Sequence, residues 1–203
     1  MTTEPRWLDD QQLDAWKRLV AVVELLPGVL DSQLRRDADL SHFEYYVLAM
    51  LSEAPRRTLR MTDLAGATNA TLPRLSHVVA RLEKRGLVER VPCPEDRRAT
   101  NAHLTDAGWE KVVATAPGHV ATVRDHVIDA LTDEQVEQLD AIAGAILERV
   151  DPDDRRGGLR RGAGRPRGSR RPPPPAVGPP RPPPRPAPRP PPPPPPATGD
   201  VER

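Results

Sequence analysis

One stretch of the sequence, residues 61–104, places two short helical patterns directly before two strand patterns. The helical patterns are joined by a turn of three residues, and Gly86 follows the second of them as a left-handed stop. The strand patterns, "LVERVPC" and "RATNAHL", flank a charged tip of four residues. Two helices with a short turn, followed by a hairpin, form a winged helix-turn-helix. This order of elements therefore predicts the fold of the region.

The boundaries of the helix pair follow from its polar residues. We expect Thr62 to cap a helix that runs to about Ala67, and residues 68–70 to form the turn. The second helix should run from Thr71 to Arg85, with Pro73 in its first turn, where the missing amide costs little. Helical spacing assigns two faces to it. The expected inward residues are Leu72, Leu75, Val78, Val79 and Leu82, and the expected outward residues are Arg74, His77, Arg81 and Arg85.

The flanking segments are also helical in pattern. Residues 8–36 carry apolar residues at helical spacing, but Pro27 and Gly28 interrupt them, which predicts either a kink or a break into two pieces. Ser41 and Glu44 form a capping box for a helix that ends at Pro55. Thr105 should begin a long helix, and the run from Thr132 to Gln135 should cap the last one. The predicted fold is mostly α with a small β-hairpin wing.

Charge is distributed unevenly along the chain. Residues 56–98 hold 10 basic and 5 acidic side chains, whereas the rest of residues 1–150 is strongly acidic. Such polarity favours a nucleic-acid partner, although charges at one hairpin tip are equally expected from solvation alone.

We find no arrangement typical of a catalytic site, a metal site or a cofactor site, so we expect neither an enzyme nor a cofactor. Cys93 is the single cysteine, which indicates a structural role more than a redox switch.

The run from Leu59 to Glu110 resembles the MarR family of bacterial transcriptional regulators. The resemblance rests on "DRR" at 96–98, "LTDAG" at 104–108 and "RLEKRGLV" at 81–88. It implies a homodimer that binds double-stranded DNA at a pseudo-palindromic operator, acts as a repressor and is released by a small aromatic or phenolic effector. It further implies a dimerisation region in residues 1–36 and 109–150, and a DNA-binding domain in residues 37–108. The interlocking N- and C-terminal helices would form the dimerisation domain.

The implied DNA contacts fall on the second helix and the wing. Arg74 and His77 are the candidates for reading base edges, with phosphate contact as the alternative. Arg98 would enter the minor groove, and Asp96 would hold the wing. The full set of expected DNA-binding residues is Thr71, Pro73, Arg74, Ser76, His77 and Arg81 on the helix and Asp96, Arg97 and Arg98 on the wing. Trp16, Tyr45, Tyr46 and Trp109 would line an effector pocket, although an ordinary core needs the same residue types.

Residues 151–203 form an Arg- and Pro-rich tail that cannot build a core, so we expect it to be disordered or extended. The tail could dock a proline-binding domain, add non-specific DNA affinity, or have no selected function. A winged-helix protein-interaction module with this docking tail is therefore the alternative to a DNA-binding regulator. The first residues lack a signal-peptide pattern and no apolar run is long enough to span a bilayer, which predicts a cytoplasmic, nucleoid-associated protein with no membrane partner.

Overall fold

The computed structural model describes residues 5–94, 96 and 98–152. These residues form a mostly helical protein with one small antiparallel sheet, as predicted. The residues of the tail beyond Pro152 lie outside the described part, together with the predictions made for them. In chain order the elements are α1 (Asp10–Ala38), α2 (His42–Glu53), β1 (Thr58–Arg60), α3 (Met61–Ala67), α4 (Leu72–Lys84), β2 (Val88–Pro92), β3 (Thr100–Leu104), α5 (Asp106–Val123) and α6 (Asp133–Val150).

The three strands are ordered β1-β3-β2, and both pairings are antiparallel. Ala102 of β3 lies at the centre, opposite Leu59 of β1 on one side and Arg90 of β2 on the other. The first strand was not predicted, because three residues carry no alternating pattern long enough to read. It forms only because β3 offers it a free edge.

The helices around the sheet share one apolar core. The fully buried side chains include Leu48 of α2, Leu64 of α3, Leu82 of α4 and Leu104 of β3. The C-terminal part of α1 contributes Leu34 to the same core. Helix α5 contributes Val112, and its Trp109 packs against the core. The helix pair and the wing are therefore fixed to each other through a common interior, which sets the relative position of their outer surfaces.

Most predicted helix boundaries are confirmed. Ser41 and Glu44 form the capping box of α2, Thr71 caps α4, and Thr132 with Gln135 forms the capping box of α6. Two predictions were wrong. The cap of α3 is Arg60, not Thr62, because the helix follows β1 without a loop. Leu72 does not face inward: it is 44% exposed, because the first turn of α4 projects beyond the core beside the wing.

Helix α1 is continuous through Pro27, so of the two predicted alternatives, a kink or a break, the break is wrong. Pro27 lies inside the helix, and the residues after it are held by burial of Leu30, Leu34 and Ala38. The hydroxyl of Ser32 donates to the carbonyl of Gly28 (2.8 Å), which binds one backbone acceptor next to the proline. Tertiary packing therefore outweighs the local cost of a proline in a helix interior.

The N-terminal part of α1 and all of α6 leave apolar side chains exposed. Trp16 is 55% exposed and Ile142 is 58% exposed, and no residue of α6 is buried. The other large exposed apolar side chains on these two helices are Leu13, Leu19, Val22, Val23, Leu25, Leu139, Ile146 and Val150. Within the described residues, no helix combines the length and apolarity needed to span a bilayer. Exposed apolar side chains in such number are typical of an interaction surface.

Two histidines pack together where α2 meets α5. The ring of His119 lies 4.7 Å from the ring of Tyr45 and 6.4 Å from that of His42, measured between centroids. Burial lowers the pKa of both histidines; for His42, the carboxylate of Asp31 opposes that shift only in part. The folded protein therefore resists protonation of both imidazoles more than the unfolded chain does.

We expect the free energy of unfolding to fall with pH below about 7, the region of the ordinary histidine pKa near 6.5. In this range the unfolded chain binds protons that the folded protein excludes, so acid favours unfolding until the lowered folded-state pKa values are passed. Urea titrations at several pH values between 8 and 5 should show this decline. The double variant His42→Gln/His119→Gln should show a shallower decline, and an unchanged slope would mean that other groups cause it.

Candidate nucleic-acid interface

Helix α4 presents its polar face to solvent because its opposite face is anchored in the core. Leu75, Val78, Val79 and Leu82 are buried, as predicted from their spacing. The hydroxyl of Thr71 accepts the backbone amide of Arg74 (3.4 Å), and Pro73 occupies the first turn. The side chains left exposed along the outer face are those of Pro73, Arg74, His77 and Arg81.

Two arginines of this face are held by residues of α2. The guanidinium carbon of Arg74 lies 4.5 Å from the ring centroid of Phe43, a cation–π contact. Arg81 donates through Nε to Glu44 (3.1 Å). Burial alone would raise the pKa of Glu44, but hydrogen bonds from Ser41 and Arg81 bring it below its ordinary value. Arg81 therefore has an anionic partner within the protomer, whereas Arg74 is oriented by an uncharged one.

The wing is fixed to α4 by Arg90 of β2. Its guanidinium donates to Glu83 Oε2 (2.7 Å) and to the carbonyl and hydroxyl of Ser76 (2.9 and 3.2 Å). The backbone amide of Arg90 also donates to Glu83 Oε1 (3.2 Å). These four contacts make Arg90 the brace between the helix and the hairpin, and they engage the Ser76 hydroxyl as well.

Replacing Arg90 with alanine should loosen the wing without unfolding the domain. Loss of the charged hydrogen bonds to a half-exposed carboxylate should lower the free energy of unfolding by about 1–2 kcal/mol. Amide hydrogen exchange should quicken in β2 and β3 while the buried part of α4 stays protected. Glu89→Ala, an exposed neighbour on the same strand, serves as the control. Equal exchange in wild type and Arg90→Ala would contradict the bracing role.

The wing tip is organised by Asp96. Its carboxylate accepts the backbone amide of Arg98 (3.0 Å), and its carbonyl accepts the amide of Ala99 (2.9 Å). The side chain of Arg98 is exposed. Arg97, the other wing arginine expected to contact DNA, lies outside the described residues. The hydrogen bond to Asp96 therefore fixes the backbone of Arg98 at the end of the hairpin.

A cleft of about 410 Å³ separates α4 from the wing. Three arginines line it, one from β1 and two from the wing, and Asp96 of the wing tip also lines it. The lining residues are Arg60, Met61, Thr62, Leu72, Ser76, Arg90, Asp96, Arg98, Ala99 and Thr100. Ser76 of the helix and Arg98 of the wing, chosen separately from the sequence, therefore meet at one cleft. Arg60 was missed, because it precedes α3 and carries no periodic signal.

The four aromatic residues expected at an effector pocket have separate surroundings. Tyr45 is buried in the core, and the hydroxyl of Tyr46 donates to the carbonyl of Ala67 (3.2 Å). Trp109 packs partly buried against the core, with the guanidinium carbon of Arg57 4.4 Å from its ring centroid, whereas Trp16 is exposed on α1. None of the four lines the cleft between α4 and the wing.

Comparison with known proteins agrees with this architecture. The profile of the MarR family matches residues 38–99, the segment that contains the helix pair and the first strand of the wing. A MarR family transcriptional regulator of Streptomyces coelicolor, solved in complex with DNA, is 47% identical. The likeness covers 74% of this chain and 94% of that one, with a TM-score of 0.70. The chain belongs to the MarR family of transcriptional regulators.

Two further relatives match this chain over most of their own length. The MarR family regulator AbsC, also of Streptomyces coelicolor, is 39% identical; the likeness covers 73% of this chain and 99% of that one, with a TM-score of 0.69. The HTH-type transcriptional regulator YdcH of Bacillus subtilis is 30% identical over 117 residues, which are 57% of this chain and 72% of that protein. The resemblance noted in the sequence is therefore confirmed across the winged helix and the helices that flank it.

Proposed function

We propose that this MarR family protein regulates transcription by binding a pseudo-palindromic operator in double-stranded DNA as a homodimer. The observation that carries the proposal is the joint surface of α4 and the wing: an exposed helix face with Arg74 and His77, beside a cleft lined by guanidinium groups. A helix of this exposure enters a major groove, and an arginine at a hairpin tip suits the adjoining minor groove. The DNA complex of the 47% identical relative supports the same partner.

The exposed apolar side chains of α1 and α6 support the proposed dimer. A two-fold axis would bury these side chains against their copies and place two α4 helices on one side of the assembly. Two recognition helices about one helical turn apart then read two half-sites, so the operator should be pseudo-palindromic. A dimer on an operator that overlaps a promoter excludes polymerase, which makes repression the proposed outcome.

A small aromatic or phenolic effector would act by favouring a dimer with a different spacing of its winged lobes. Three of the four residues assigned to its pocket, Tyr45, Tyr46 and Trp109, already have partners in the protomer. Trp16 does not, and it lies on the surface assigned to the second copy. Any pocket that uses Trp16 would therefore be completed by dimerisation.

Arg98→Ala and Arg74→Ala should weaken DNA binding in different ways. A duplex for this test is obtained by enrichment from a randomised pool with the wild-type protein. Arg98→Ala should lower affinity for all duplexes and reduce the slope of log affinity against log salt by about 0.9. Arg74→Ala should lose about 1–3 kcal/mol of discrimination at one base pair per half-site. Gel-shift titrations at several salt concentrations separate the two effects. If both variants behave alike, the division between anchoring and base reading is wrong.

A further inference from the structure

The cleft between α4 and the wing has a geometric role that depends on the proposed DNA binding. The major and minor grooves of a duplex are separated by a sugar–phosphate strand. A protein that places a helix in one groove and the adjacent hairpin in the other must straddle that strand. The gap between its helix and its hairpin therefore faces phosphates, and the charges that line the gap decide how firmly the strand is held.

The three arginines of the cleft differ in what they already bind. Arg90 is paired with Glu83 and with Ser76, so its charge is largely satisfied within the protomer. Arg98 belongs to the wing tip. Among the described residues Arg60 makes no salt bridge, and its guanidinium donates to the thiol sulfur of Cys93 at 3.5 Å, a long and weak contact.

The position of Arg60 is fixed by the fold. It is the last residue of β1, opposite Asn101 of β3, and it caps α3. Its backbone is therefore held by the sheet and by the helix at once. Thr100, which also lines the cleft, offers a hydroxyl on the same opening, whereas the hydroxyl of Thr62 already donates to Asp63 (3.3 Å). A guanidinium and a hydroxyl around one opening suit the oxygens of a phosphate.

We infer that the sugar–phosphate strand lying between the two occupied grooves enters this cleft and that Arg60 binds a phosphate of that strand. Arg60 thereby supplies a DNA contact from β1 and α3, elements outside both the recognition helix and the wing. The contact to Cys93 keeps the guanidinium beside the base of the wing, and the phosphate takes the remaining N–H donors.

The test measures the affinity of wild type, Arg60→Gln and Arg60→Lys for the duplex enriched with the wild-type protein, over a series of salt concentrations. Arg60→Gln should lose about tenfold in affinity and about 0.9 in the slope of log affinity against log salt. Arg60→Lys should keep the slope, because the charge remains. Thermal unfolding of each variant should stay close to that of wild type.

Two controls distinguish contact from other causes. Arg56→Gln removes the same charge at an exposed residue that does not line the cleft, so its slope should stay near that of wild type. Cys93→Ala removes the intramolecular acceptor and should also keep the slope. If Arg60→Gln weakens binding at an unchanged slope, Arg60 only positions the wing, and the inference fails. An equal fall in slope for Arg56→Gln would mean a diffuse field and would overturn it as well.

The failure of the proposed function looks different. If the wild-type protein enriches no duplex from the randomised pool, the proposed operator binding is wrong and the inference fails with it. If wild type binds its duplex and Arg60→Gln matches wild type in both affinity and slope, the proposed function is retained. Only the phosphate contact of Arg60 is then refuted.

Discussion

Ile142→Glu should dissociate the proposed dimer and lower operator affinity by about a hundredfold. Ile142 lies at the centre of the exposed apolar stripe of α6, and two-fold symmetry brings two copies of the substitution into the interface. Burying an unpaired carboxylate twice in an apolar surface costs several kcal/mol. A monomer then binds one half-site at a time and loses the gain in effective concentration that two linked recognition helices provide.

Sedimentation equilibrium over a range of protein concentrations measures the first effect, and gel-shift titration on the enriched duplex measures the second. Ile142→Leu is the matched control and should remain dimeric with wild-type affinity, because it conserves volume and polarity. Circular dichroism establishes that the glutamate variant is folded at the concentration used. A folded Ile142→Glu protein that stays dimeric would place the interface elsewhere.

Gly108→Ala should lower the free energy of unfolding by about 2–3 kcal/mol, a large effect for one methyl group. Gly108 lies in the first turn of α5, where an added Cβ would collide with the backbone carbonyl oxygen of Leu87 and lie 2.6 Å from Leu104 Cδ1. The same carbonyl accepts the amide of Thr105 (3.2 Å), and the Thr105 hydroxyl donates to the carbonyl of Gly86 (2.7 Å). The start of α5 is thus in close contact with the loop after α4. The two hydrogen bonds connect these backbones, so they cannot separate to make room for a Cβ without losing them.

Gly144→Ala provides the matched comparison. Gly144 lies in α6 with open space around its Cβ position, so alanine should be neutral or stabilise by about 0.5–1 kcal/mol through helix propensity. Urea unfolding of both variants, monitored by circular dichroism, measures the difference. Should Gly108→Ala prove as stable as Gly144→Ala, the close approach of α5 to Leu87 would not exist in solution.

The elements that local sequence specifies were the ones predicted correctly. Ser41 with Glu44, and Thr132 with Gln135, each satisfy the first amides of their own helix, so the signal and the structure lie within four residues. The end of α4 is equally local, because Gly86 has a φ of +70°, which glycine adopts without strain. The helix pair and hairpin follow from such signals in sequence order.

The errors arose where distant residues decide the outcome. β1 exists because β3 pairs with it, and Leu72 is exposed because the wing, not the core, lies beside the first turn of α4. The roles of individual arginines could not be predicted from the sequence either. Phe43 orients Arg74 and Glu83 binds Arg90, and neither partner can be identified from helical spacing alone. Sequence patterns located the surface, whereas its internal contacts required the fold.

Hydroxyl-radical footprinting of the dimer on its enriched duplex tests the central claim most directly. Two α4 helices in successive major grooves, with a wing beside each, should protect two patches of backbone related by two-fold symmetry and centred about 10 base pairs apart. Sedimentation of the same complex should give two protein chains for each duplex. A single unsymmetrical patch bound by one chain would contradict the account, since α4 and the wing would then not act as paired halves of one DNA-binding surface.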